Sequence, residues 1–220
     1  MGVTLRPAMR AALSSLLLLL PALALAATDV QGVLPGETVW KRSGSPYVLH
    51  GDVTVPWGVK LSVEPGVQVM AASDDALGSG VDPRRVELIV DGTLLVRGTA
   101  ELPVEFTSQG AEGAWYGIRV RGGRGTVIDG ATLTRASQGI TLGMSATVRN
   151  TAVSAQAEDC LQVTWGTPSL RGNDLSGCGG RMRRLPEPAP VLERPSPPVV
   201  LPSPSRPPNP RPVPERPVPE

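Results

Sequence analysis

Across the seventeen residues "VTVPWGVKLSVEPGVQV", Val53 to Val69, every odd position is apolar, tryptophan or proline. Two turn signals, Pro56-Trp57-Gly58 and Pro65-Gly66, interrupt the stretch without breaking that alternation. A period of two places the odd side chains on one face of extended backbone. Pro-Gly suits the centre of a type II turn, whose twist splays the strands of a hairpin. A single central strand is disfavoured as well, because Pro56 and Pro65 cannot donate to a ladder. The remaining solution is a chain that turns corners while its odd residues keep facing one interior, as in one coil of a β-solenoid.

A single coil cannot bury its own apolar face, so the pattern has to recur. It recurs in "GIRVRGGRGTVIDGATLTRAS" from Gly117, "GITLGMSATVRNTAVSAQAED" from Gly139 and "CLQVTWGTPSLRGNDLSGCGG" from Cys160, at spacings of 22 and 21 residues. This register predicts stacks of Ile118, Ile140 and Leu161, and of Val120, Leu142 and Val163. Further along each coil it predicts Val127 with Val148 and Leu170, and Leu133 with Val153 and Leu175. "VELIVDGTLLVRGTAELPVEFTS" from Val86 reads as another coil. The inserts 71–85 and 109–114 both follow the third strand of their coil, and so are expected to emerge along one edge.

The expected fold is all-β, a β-solenoid of about four to five coils over residues 52–180, preceded by a cap segment over 27–51. Residues 1–26 carry Arg6 and Arg10, an apolar run and small residues at Ala24-Leu25-Ala26, the layout of a secretory signal peptide. The chain is therefore expected to be exported, to a periplasm, the cell surface or the medium. From residue 181 onward "RMRR" leads into a proline-rich tail. Fifteen of the thirty-six residues from Leu185 to Glu220 are proline, a composition that favours extended polyproline II over helix or sheet and reads as a spacer or tether. Formal net charge is +1, and basic residues cluster only at Arg181 to Arg184, which argues against a nucleic-acid partner.

The segment "TVWKRSGSPYVLHGDVTVPWGVKLSVEPGVQV" resembles the start of many secreted bacterial right-handed parallel β-helix repeat proteins, whose coils open with a tryptophan, a "VTVPxG" corner and an "EPG" corner. "VDGTLLVRGTAELPVEFTS" followed by "WYGIRV" is similar to their next coils. The resemblance covers about Gly32 to Gly180 and implies the pectate-lyase-like superfamily. That architecture carries lyases, hydrolases, adhesins and non-catalytic surface proteins, so the fold leaves function open.

A hydrolase on this fold needs acids converging on one groove. The adjacent acids Asp74-Asp75 sit in the first insert, and Asp91, Asp129, Asp159 and Asp174 fall at different turns. A lyase would need calcium-holding carboxylates beside a basic residue. Asp74, Asp75 and Asp82 with Arg84 or Arg85 are the available set, but they share one loop and are expected to be solvated, with a loosely held calcium as the alternative. His50, without a second histidine or a nearby cysteine, reads as structural or solvent-facing. Cys160 and Cys178 are expected to form a bridge stapling the last coil, against the alternative of two separate thiols.

Trp57, Trp115, Tyr116 and Trp165 neighbour glycines at corners. Packing inside or over rung ends is the expected role, and a sugar-stacking platform at Trp57 and Trp165, with Arg84 and Arg85 as polar candidates, is the functional alternative. The sequence thus favours a non-catalytic module binding a surface polysaccharide or a cell-envelope protein. A polysaccharide lyase or glycoside hydrolase and a purely structural envelope protein stand as competing readings.

Overall fold

The structure, a computed structural model, describes residues 27–143, 145–157, 159–178 and 181–184. The expected signal peptide and the proline-rich segment from residue 185 lie outside the described residues. No helix among the described residues is long and apolar enough to cross a membrane.

The stretch Val53 to Val69 belongs to one coil that visits three faces: residues 53–55 on a first face, Lys60–Val63 on a second and Gln68–Ala71 on a third. Its two corners are closed by backbone bonds from Val59 N–H to the Pro56 carbonyl at 3.0 Å and from Val67 N–H to the Glu64 carbonyl at 3.4 Å. Gly58 and Gly66 sit at φ 77° and 73°, the left-handed conformation that the third residue of a type II turn demands. The turn signals therefore bend the strand toward a new face without reversing it.

Every strand pairing is parallel, as stacking of successive coils requires. The second face is a six-stranded sheet formed by Thr38–Trp40, Lys60–Val63, Thr93–Arg97, Val127–Asp129, Thr147–Arg149 and Ser169–Arg171. The first and third faces belong to one ten-stranded sheet. They are continuous because Tyr47–Val55 and Ala131–Leu142 run from the third face round to the first without a break. Where an insert intervenes, that corner opens. The lead-in is itself wound: Thr28–Val33 pairs in parallel with Tyr47–Val55, and Thr38–Trp40 with Lys60–Val63. At the other end Arg181–Arg184 adds a rung on Asp159–Val163. These segments extend the stack beyond the four to five coils read from the periodic region.

The first-face ladder runs Val53, Leu88, Ile118, Ile140, Leu161 in direct register, with Val55, Val90, Val120, Leu142, Val163 beside it. All ten are at most 1% exposed. On the third face Tyr47, Val69, Phe106, Leu133 and Val153 stack likewise. On the second, Val148 meets Ile128 and Leu170, while Val127 pairs with Thr147 and faces outward. The expected Val127 stack is thus displaced by one residue. The corner "RGGRG" is longer than its counterparts in neighbouring coils, so constant spacing from the first face does not carry the register to the second.

Close stacking also explains particular glycines. Gly130 has φ 64°, and a Cβ there would overlap the Gly98 carbonyl of the coil next to it. At the start of the stack the core is closed by Trp40 and Tyr47, stacked at 5.0 Å between ring centroids. The Tyr47 hydroxyl accepts from Lys41 N–H at 2.7 Å and donates to the Lys41 carbonyl. In the last coil Cys160 and Cys178 are joined by a disulfide, with Cα atoms 5.5 Å apart. It ties the first-face strand Asp159–Val163 to the 3-10 turn Ser176–Cys178.

Two stability measurements check this architecture. Ile140→Ala, which empties the middle of the first-face ladder, is expected to cost about 2–5 kcal/mol, whereas outward-facing Thr141→Ala stays within about 0.5 kcal/mol; equal urea midpoints for the two would contradict the inward parity. Replacing both cysteines by serine is expected to lower stability by about 2–3 kcal/mol through release of the loop they close, read as a drop in Tm that reductant reproduces in the unaltered protein.

Candidate functional site

Alternation along the first face sends Asp52 and Glu87 outward, one residue before Val53 and Leu88. Exposure would be the ordinary fate of such carboxylates. They are instead 2% and 0% exposed, because the insert following Gln68–Ala71 folds over them. Asp52 accepts from the Ser79 hydroxyl at 2.7 Å and from Glu87 N–H at 2.7 Å. Glu87 accepts from Val81 N–H at 2.6 Å and Asp82 N–H at 3.1 Å through one oxygen, and from Arg119 at 2.6 Å through the other. Asp75 gathers the amides of Asp52, Leu77 and Ser79. Asp75 and Glu87 thus accept from insert backbone, while Asp52 is met by the Ser79 hydroxyl and the Glu87 amide; together these supply the donors that burial of a charge requires.

Burial is the main reason that the Asp52 carboxyl is held above its ordinary value, with the Asp75 and Glu87 charges adding to it; the Ser79 and Glu87 hydrogen bonds oppose the shift. Asp82 moves the other way. Its carboxyl lies below the usual range, chiefly because the Arg84 amide donates to it and Arg85 pairs with it. Arg85 also donates to the Gly113 carbonyl at 2.8 Å, and Gln156 to the Glu112 carbonyl at 3.0 Å. Both inserts emerge at the corner from the third face to the first, where these bonds pin them to one another and to the coil two rungs on.

The carboxylates weighed as an alternative calcium set each have separate partners. Asp75 is saturated by loop amides, Asp82 by Arg84 and Arg85, and Asp74 meets the Ser73 hydroxyl at 3.4 Å. Among the described residues no three histidine, cysteine, aspartate or glutamate side chains converge as a metal cage. The Arg84 side chain is 85% exposed and 3.6 Å from Asp82. His50 lies 2.9 Å from Asp29 at the surface. Asp52 and Glu87 escape a motif search because the alternation marks them as outward residues, and nothing local says what covers them.

The tryptophans divide into two pairs. Trp40 and Trp115 are buried, and the Trp115 ring N–H donates to the Thr134 carbonyl at 2.8 Å. Trp57 and Trp165 are 75% and 50% exposed. Both lie at the corner between the first and second faces, two residues beyond the stacked Val55 and Val163. Each precedes a left-handed glycine, Gly58 at φ 77° and Gly166 at φ 83°. Both rings point outward, although the Trp57 turn is closed by the Val59 N–H to the Pro56 carbonyl whereas the Thr167 N–H beyond Trp165 goes to the Ser145 hydroxyl. Tyr116, at the first-face surface, packs beneath the Arg119 guanidinium, 5.8 Å from its ring centroid.

Parallel rungs stacked on three faces around one apolar interior define a parallel β-helix. The family model described as a pectate-lyase-like beta helix domain matches residues 32–155, and the chain belongs to that family. No curated protein and no solved structure gives a match.

The Asp52 carboxyl provides a pH test. A folded-state value raised above the unfolded one means that its contribution is fully present below about pH 3.8 and is lost as pH rises through the raised value. Asp52→Asn should remove that loss. Urea midpoints followed upward from acid are expected to decline for the unaltered chain relative to the variant, and parallel profiles would contradict the assignment.

Proposed function

We propose that this chain is an exported, non-catalytic β-helix module that binds a surface polysaccharide or a protein partner, with the proline-rich segment from residue 185 as its tether. The observation that carries this reading is the outward presentation of Trp57 and Trp165 on one corner of the stack. Large aromatic rings are costly to leave in water and are ordinarily buried. Two of them at corresponding positions of one corner fit a surface that is completed by a ligand.

The carboxylates support the same reading from the other direction. Asp52, Asp75 and Glu87 are each engaged by two or three donors, from backbone amides, the Ser79 hydroxyl and Arg119. A general acid or base has to reach the bond it cleaves or a water beside it. The lyase or hydrolase reading draws on the same cluster, since an acid with a raised pKa beside a second carboxylate and an arginine is also what glycoside chemistry uses. Its burial beneath the insert weighs against substrate contact.

Purified protein on a glycan array, combined with a turnover assay on acidic polysaccharides, separates these alternatives. Retention of a glycan without new reducing ends or unsaturated products is expected, with Trp57→Ala and Trp165→Ala each reducing retention. Turnover abolished by Asp52→Asn or Glu87→Gln, both of which leave the tryptophan corner intact, would replace this reading with the catalytic one.

A further inference from the structure

The first-to-second-face corner carries more than two rings. Beside Trp165 lies a cavity of about 410 Å³ lined by Arg124, Gly125, Ser145, Trp165 and Gly166, a volume within the range of small-ligand sites. Arg124 is exposed and makes no ion pair with a described residue; its carbonyl accepts the Thr93 hydroxyl at 3.2 Å. Ser145 accepts from Thr167 N–H at 3.1 Å, and the two hydroxyl oxygens lie 3.4 Å apart. An aromatic ring, a free guanidinium and paired hydroxyls thus surround one recess, with glycines keeping its walls low.

Trp57 occupies the same corner farther along the axis. The register Val55, Val90, Val120, Leu142, Val163 places it four rungs from Trp165, or about 19 Å at ~4.8 Å per rung. Between the two rings the corner holds Asp91 and Arg121, paired through bonds of 2.8 and 2.6 Å, and the glycines 92, 122 and 123. A protein partner favours anchors gathered at the centre of one desolvated patch. Two aromatic anchors with an ion pair and glycines among the described residues between them suit a linear polymer better, since it can stack a ring on each and hydrogen-bond between them.

We infer that this corner is an extended polysaccharide-binding edge. One sugar stacks on Trp165 within the Arg124–Ser145 recess, the chain runs along the helix axis over the Asp91–Arg121 pair, and a second sugar stacks on Trp57. This assignment rests on the binding-module reading and adds to it the ligand class, its direction and the residues at each end. With the two rings four rungs apart, a glycan has to be several sugars long to touch both. A trisaccharide can therefore fill the recess without reaching Trp57, whereas a hexasaccharide engages both rings.

The test uses the full chain and three probe pairs, the trisaccharide and hexasaccharide of cellulose, chitin and polygalacturonate, titrated by calorimetry and by tryptophan fluorescence. Trp40 and Trp115 are buried, so a fluorescence change reports the exposed pair. At least one hexasaccharide is expected to bind. Trp165→Ala and Arg124→Ala should weaken both lengths of that sugar. Trp57→Ala should weaken the hexasaccharide about three- to tenfold, the worth of one aromatic contact, and leave the trisaccharide within twofold. Circular dichroism and urea midpoints matching the unaltered chain show that each variant is folded. The assignment is overturned if Trp57→Ala affects both lengths equally, if neither tryptophan matters, or if none of the six probes binds. Glycan binding that ignores both tryptophans would remove this edge and leave the binding-module reading standing. Hydrolysis of a hexasaccharide held through Trp57 and Trp165 would do the reverse.

Discussion

Each inward side chain of the stack rests on a counterpart in the coils above and below, about 4.8 Å away along the parallel ladder. Ile140, for example, lies between Ile118 and Leu161 with no solvent exposure. Because backbone hydrogen bonds join the same neighbours that apolar contact joins, register and burial are one constraint. Slipping a rung by a single residue would turn its valines and leucines to water and its threonines and arginines into the interior. The closely apposed glycine corners, the Trp40–Tyr47 pair and the Cys160–Cys178 disulfide all serve that one arrangement, the first by letting coils approach and the others by closing the ends of the interior.

A tightly registered stack leaves its corners free to vary. At the corner from the third face to the first, the chain either passes straight through, as in Tyr47–Val55, or leaves to make an insert. The first insert returns over the outer surface and needs partners for its backbone donors. Asp75 and Glu87 provide them, Asp52 takes the Ser79 hydroxyl, and Arg119 balances part of the resulting charge. The loop does work for the fold, and the electrostatic perturbation of Asp52 is a consequence of being covered.

The corner from the first face to the second is built differently. Its turns are short and rich in glycine, so little stands above them except the side chains on their outer positions. In two coils that side chain is tryptophan. The regular rung spacing fixes the distance between these two rings along the axis.

The alternation of Val53 to Val69, its two glycine-bearing corners and the recurrence of the pattern from Gly117 were sufficient to read a β-solenoid from the chain alone, because period-two patterning and turn chemistry are local properties of the backbone. The stacks of Ile118 and Leu133 followed from the same regularity. The Val127 stack did not, since corners of unequal length reset the register and only the ladder shows that Ile128 points inward. The candidate site divides along the same line. That Trp57 and Trp165 stand at glycine corners is written in the sequence. That these two are exposed while Trp115 is enclosed, and that Asp52 and Glu87 lie beneath residues 72–85, depends on contacts between segments distant in the chain. Local chemistry determined where the backbone turns, and only the stacking of coils decided which outward side chains meet water and which meet another loop.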